Sequence, residues 1–159
     1  MAKARAIPGL AEAASFRDAA ARVVEVRAEE VFEHREGVLD TSEIEGVHDM
    51  RVATRRLRAA MEIFAPCFPK KEHRRVLTEV KSLADALGER RDRDVAIAAL
   101  DHAASELTAT NRPGLRHFQD ELREEQRVAN EALARELDEV DRRGLRERLL
   151  ALAVGARTA

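Results

Sequence analysis

Residues 47–60 read VHDMRVATRRLRAA. Wound as an α-helix at about 100° per residue, this segment separates into a cationic stripe and an apolar stripe. The cationic stripe consists of His48, Arg51, Arg55 and Arg58, which fall within an arc of roughly 80°. Like charges one turn apart repel each other by roughly a few tenths of a kcal/mol per pair. The stripe therefore predicts a helix that offers one face to a polyanionic partner.

The opposite side of the same helix is apolar and predicts burial in a helical core. Charged residues make up 36% of the 159 residues and aromatic residues only 3%, a composition that favours long helices over sheets. We therefore expect an all-α protein, an antiparallel bundle of long helices. Its basic helix should bury the following side chains: Met50, Ala53, Leu57, Ala60, Met61 and Phe64.

Charge is distributed unevenly along the chain. Residues 48–93 contain 12 Lys and Arg against 7 Asp and Glu, although the whole chain has a net charge of -2. This pattern predicts a focused anion site on a surface that otherwise repels anions. The single cysteine, Cys67, and the lack of a long apolar run predict a cytoplasmic protein without a signal peptide or membrane span.

Capping signals predict where the first two helices begin. Ser15 followed by Asp18 predicts the start of a helix that continues to about Arg35. Ser42 followed by Glu45 matches a capping box and predicts the start of the basic helix, which should end before Pro66.

Glycine and proline predict the remaining boundaries. We expect a third helix to end at Gly88 as its C-cap and a further helix to begin near Asp92. Residues 111–114, Asn-Arg-Pro-Gly, predict a turn before a long charged helix from Leu115 to about Val140. A last short helix should follow, so that residues 15–155 form one domain after a loose segment 1–14.

Two motifs in this order resemble those of the CHAD domain, the conserved histidine α-helical domain. Residues 48–58, HDMRVATRRLR, are similar to the family's HxxRVxxRRLR signature. Residues 87–95, LGERRDRDV, are similar to its LGxxRDxDV signature. The resemblance implies a domain of long antiparallel helices whose basic residues line a channel that binds inorganic polyphosphate.

The resemblance also implies which residues bind the ligand. His48, Arg51, Arg55 and Arg58 match the ligand-lining face, and Arg91 matches the arginine of the second motif. Lys81 is a further candidate, because members of the family place a basic residue at this position. Two further candidates are ranked lower, namely Arg74, two turns before Lys81, and Arg56, about 80° to the other side of His48. If His48 lies beside bound phosphate, its charged form is favoured, and binding should strengthen as pH falls through the histidine range.

Typical family members contain two pseudo-symmetric halves, whereas this chain has one copy of each motif. The resemblance therefore corresponds to one half of the usual fold. We expect two chains to pair about a two-fold axis, because an isologous homodimer is the simplest way to rebuild both halves.

The sequence gives less support to other functions. The segment from Glu45 to His48 is an ExxH, but a di-iron site needs a second copy, so no metal site or cofactor is expected. No nucleophile–base pair and no phosphate-binding glycine loop is present, so we expect no catalytic residues.

The alternative is a helical adaptor that binds nucleic acid or an acidic protein through the same stripe. The absence of Trp and Tyr and the acidic net charge disfavour nucleic acid. The arginines could also simply pair with acids of neighbouring helices.

Overall fold

The computed structural model describes residues 3–106 and 112–158, and within these ranges the chain is all-helical, as predicted. A 3₁₀ turn, Ala65–Cys67, separates the second and third helices, and neither range contains a strand. The five helices are α1 (Phe16–Glu33), α2 (Glu45–Ile63), α3 (Lys70–Glu106), α4 (Arg112–Arg142) and α5 (Leu145–Thr158).

The core lies where α1 packs against α2 and α5, and where α3 packs against α2 and α4. The predicted apolar stripe of α2 faces this core, because Met50, Leu57 and Met61 are fully buried. Leucines from the other helices surround them, namely Leu83, Leu87, Leu133, Leu137, Leu145 and Leu149. No helix in the described ranges is both long and apolar enough to cross a membrane.

The start of α1 confirms the predicted cap. Ser15 has an extended backbone, and its hydroxyl accepts a hydrogen bond from the Asp18 N–H at 3.1 Å. The Asp18 carboxylate accepts one in turn from the Ala14 N–H at 3.2 Å. Both side chains thereby satisfy backbone donors at the end of the helix.

The predicted capping box at Ser42 is wrong. The hydroxyl and the backbone N–H of Ser42 both donate to Asp40, at 2.6 and 2.8 Å, and α2 begins at Glu45 after an N-cap, Ile44, that has no side-chain cap. Because Ile44 is the N-cap, the Ser42 hydroxyl is not placed to accept from a backbone N–H of the first turn, and Ser42 instead forms an Asx-turn with Asp40. These hydrogen bonds from Ser42 also lower the pKa of Asp40.

The predicted break at Gly88 is also wrong, because α3 continues through Gly88 and Asp92 to Glu106. Positive φ occurs in the described ranges only at Gly9, Gly37 and Gly144, so Gly88 is not a left-handed cap. A glycine inside a helix costs only about 1 kcal/mol relative to alanine. The packing of α3 beyond Gly88 against α4 outweighs that cost.

The predicted turn at 111–114 is wrong where the structure describes it, because α4 already begins at Arg112; Asn111 lies outside the described residues. Pro113 and Gly114 lie within the first turn of α4, where the missing proline N–H leaves no helical hydrogen bond unmade. The long charged helix after this point and the short final helix are both confirmed.

Candidate functional site

Helices α2 and α3 run antiparallel, and three contacts set their register. The Lys81 ammonium lies 3.3 Å from the Glu62 carboxylate near the end of α2, and the Arg91 guanidinium donates to the Ile44 carbonyl at 3.3 Å near its start. Between these points Gly88 lies beside Arg51. A groove of about 500 Å³ follows the line between the two helices.

The α2 wall of this groove consists of three predicted ligands, Arg51, Arg55 and Arg58. Their spacing of four and three residues brings them to one helix face, as the periodicity predicts. Arg51 and Arg55 make no ion pair or hydrogen bond through their side chains with any other residue that the structure describes. Arg58 differs, because its Nε donates to Glu62 at 3.1 Å.

The α3 wall combines small residues with carboxylates. Ala84 and Gly88 leave the space that the groove occupies, and a Cβ built on Gly88 would lie 3.9 Å from the Arg51 Nε. The acids along this wall are Asp85, Glu89 and Asp92. Glu89 is engaged by Arg93 at 2.7 Å, which offsets its charge. The groove thus has arginines on one wall and acids on the other.

The remaining predicted site residues occupy different places. Lys81 and Arg91 are not among the lining residues: Lys81 lies one turn before Ala84 and pairs with Glu62, and Arg91 is half-buried and donates to the Ile44 carbonyl. His48 is half-buried one turn before Arg51 and is not among the lining residues. Arg56 and Arg74 do not line the groove either. Arg74 is exposed and lies two turns before Lys81 on α3. Because Lys81 already faces the end of α2, Arg74 has no part of α2 opposite it.

A buried polar cluster holds α3 against α4 and thereby fixes which face of α3 meets the groove. The Arg90 guanidinium is fully buried, 3.0 Å from Asp94, and donates to the Asn130 side chain at 3.1 Å. Gln126 donates to Asp94 at 2.7 Å, and Asn130 donates to the Leu39 carbonyl at 2.9 Å. Burial lowers the pKa of Arg90 although Asp94 acts in the opposite direction.

The sequence analysis missed one residue that lines the groove, Gly88, and one that lies beside it, Glu62. Glu62 contacts both Arg58 and Lys81, a role whose only signal in the sequence is the four-residue spacing from Arg58. Gly88 is part of the groove wall rather than a helix cap, and its place in the LGxxRDxDV motif was the available signal. Within the described part of the chain, no group of three or more His, Cys, Asp or Glu side chains could hold a metal ion.

Comparison with known proteins places these features in a family. The sequence model of the CHAD domain family matches residues 22–159, which include all five helices except the first turns of α1. A comparison with curated proteins gives no significant match. Because the match spans nearly the whole chain, including both basic motifs and the groove between them, the chain belongs to the CHAD domain family.

Proposed function

We propose that the protein binds inorganic polyphosphate, without catalysis, in the groove between α2 and α3. One observation carries the proposal. Arg51, Arg55 and Arg58 line one wall of an open groove, and the side chains of Arg51 and Arg55 have no partner there among the residues that the structure describes. CHAD domains are linked to the binding of polyphosphate and triphosphate and are in general binding domains.

The chemistry of arginine suits this ligand. A planar guanidinium can hold two phosphate oxygens and stays charged at any relevant pH. Arg51 and Arg55 are separated by about 6 Å along the helix axis, so that neighbouring parts of one phosphate chain can reach both. Polyphosphate has no base or sugar to recognise, and spaced cations along a groove are therefore sufficient.

The acids of the α3 wall restrict the class of anion. Asp85 and Asp92 repel an anionic ligand that is wide enough to touch both walls of the groove. A thin, flexible chain can stay on the arginine wall, whereas the rigid surface of a nucleic-acid duplex cannot enter a groove of about 500 Å³. This asymmetry favours polyphosphate over duplex nucleic acid.

The other predicted residues extend the site. Arg58 and Lys81 would hold the chain at one end of the groove, and Arg91 and His48 would add charge near the start of α2. Arg56 and Arg74 would make secondary contacts at most. Such binding needs no cofactor and fits a cytoplasmic protein that meets the polymer in solution or at granules.

Titration of long-chain polyphosphate into the purified protein at two salt concentrations tests the proposal. We expect affinity to fall steeply with salt, with a slope of about 0.7 per phosphate contacted, by analogy with single-stranded nucleic acid. The double variant Arg51→Ala, Arg55→Ala should weaken binding about a hundredfold, since each charge-assisted contact contributes roughly 1.5 kcal/mol.

A matched control is the double variant Arg116→Ala, Arg135→Ala, which removes two exposed arginines of α4 outside the groove. Equal losses in both double variants would mean that net charge, rather than the groove, governs binding. Equal affinity for duplex DNA would favour the adaptor function, and release of orthophosphate would indicate an enzyme.

Repeating the titration with His48→Gln at about pH 6 and about pH 8 tests whether His48 strengthens binding as it protonates.

We further propose that the protein is a homodimer joined through the outer parts of α3 and α4. In the described ranges, every fully buried side chain between Leu87 and Leu133 is polar. Val95 and Phe118 are 51% and 56% exposed there. Two helices alone leave much of their apolar surface in water, and a second copy would cover it.

A further inference from the structure

Glu62 joins two predicted ligands of the groove. The same carboxylate oxygen, Oε1, lies 3.1 Å from the Arg58 Nε and 3.3 Å from the Lys81 Nζ. All three side chains are between 42% and 44% exposed, so the contact is open to solvent. Hydrogen bonds from Arg58, and then from Lys81, lower the pKa of Glu62. The carboxylate is therefore ionised at neutral pH.

Local helix stability does not explain an acid at this position. Glu62 lies in the last turn of α2, where the helix dipole favours a basic residue, and no basic residue is present in that turn. The order of its pair with Arg58, with the base before the acid, is the weaker of the two orientations at this spacing. An exposed ion pair contributes little stability in any case.

We propose that Glu62 occupies, in the free protein, the place where a ligand phosphate binds between Arg58 and Lys81. This inference rests on the proposed function, because it identifies one phosphate subsite of the same groove and the group that competes for it. A carboxylate and a phosphate offer the same kind of oxygen acceptors to arginine and lysine. Binding at this subsite requires Glu62 to give up both cations.

The competition makes Glu62 a determinant of ligand length. Because Glu62 is part of the protein, its carboxylate competes for Arg58 and Lys81 at an effective concentration in the millimolar range or above. The concentration of free single phosphate rarely exceeds that value. A phosphate in a chain that Arg51 and Arg55 already hold is likewise tethered, so it can displace Glu62. Arg51 and Arg58 are about 10 Å apart along the helix axis, a span that requires several phosphate units.

The salt dependence should reveal the same exchange. In the wild-type protein, phosphate displaces a carboxylate from Arg58 and Lys81 instead of displacing free counterions. Without that carboxylate, both cations would attract counterions, and binding would release them. The variant Glu62→Gln should therefore bind with a steeper salt dependence, by a slope of about 1.4 for two additional contacts.

The experiment measures binding of long-chain polyphosphate and of tripolyphosphate to the wild type, Glu62→Gln and Glu131→Gln at several salt concentrations. Glu131→Gln makes the same change of net charge on α4, where Glu131 pairs with Arg127 outside the groove. We expect Glu62→Gln to tighten tripolyphosphate binding by about tenfold and long-chain binding by less. Glu131→Gln should change either affinity by less than about twofold.

The outcomes separate this inference from the proposed function. If the wild type binds polyphosphate and Glu62→Gln binds it equally or more weakly, Glu62 only ties α2 to α3, and the inference is wrong. Equal gains in Glu62→Gln and Glu131→Gln would also overturn it, because they would show an effect of net charge. If neither the wild type nor Glu62→Gln binds either probe, the proposed function fails, and the subsite fails with it. Thermal unfolding of each variant shows whether its fold is intact.

Discussion

Arg90 places a full positive charge in the interior, between α3 and α4. Its guanidinium is paired with Asp94, and that carboxylate also accepts from Gln126. A charge in this position is tolerated only while its partner remains, because desolvation of an ion costs several kcal/mol. The pair therefore matters less for its own strength than for what happens when one member is lost.

The variant Asp94→Asn should lower the free energy of unfolding by about 3 kcal/mol, since it leaves the Arg90 charge buried without a counter-charge. Urea unfolding followed by circular dichroism measures the change. Glu131→Gln, which removes a carboxylate from an exposed pair, should leave the stability nearly unchanged. Equal, small effects in both variants would show that water reaches Arg90 and that the pair is not buried in solution.

The direction of each arginine on α2 was predictable at this scale, but its partners were not. The periodicity of about 100° per residue is a local property, and it correctly brings Arg51, Arg55 and Arg58 to one face. The contact of Glu62 with Lys81 depends on how α2 and α3 are aligned, which no local pattern specifies. Sequence alone could therefore nominate Lys81 only through the family resemblance.

At the scale of the helices, Gly88 shows why boundaries were harder to predict than helices. A glycine after a run of apolar residues is typical of a C-cap, and the same glycine can stand inside a longer helix. The deciding interactions lie beyond Gly88, where Arg90 and Asp94 pack against α4. They are tertiary contacts, and they extend α3 to 37 residues.

The variant Gly88→Ala should stabilise the protein by about 0.5–1 kcal/mol, because alanine restricts the unfolded chain and favours the helix. The added Cβ would make only an ordinary contact, 3.9 Å from Arg51. Gly144 is the matched contrast, since its φ of +61° is unfavourable for alanine, and Gly144→Ala should destabilise by about 1 kcal/mol. Urea unfolding compares the two, and destabilisation by Gly88→Ala would indicate that α3 breaks at that residue.

Across the whole molecule, the uneven distribution of charge anticipates the place of the groove but not its composition. The basic middle of the chain supplies both helices that line it, as the sequence suggests. The acids of the α3 wall belong to the same basic segment and become neighbours of the arginines only when the helices pack. A net count of charges could not distinguish a uniformly basic channel from a groove with two unlike walls.

The distribution of buried apolar residues leaves one part of the molecule with exposed apolar surface. Fully buried apolar residues occur on all five helices, but on α3 they end at Leu87 and on α4 they begin again at Leu133. The parts of α3 and α4 between these residues contact each other, for example where Gln119 donates to Asp101 at 2.6 Å. Half-buried leucines and the exposed Val95 and Phe118 lie along the same stretch.

If a second copy covers this surface, Phe118→Asp should weaken the dimer by about 2–4 kcal/mol, the range typical of a central aromatic contact. Sedimentation equilibrium over a range of protein concentrations measures the dissociation constant directly. Val154→Asp is the control, because Val154 is similarly exposed, at 53%, but lies on α5. Loss of the dimer only in Val154→Asp would place the interface on α5 instead. A wild-type protein that stays monomeric while binding polyphosphate would show that one groove suffices, so that the exposed apolar surface of α3 and α4 must serve a different partner.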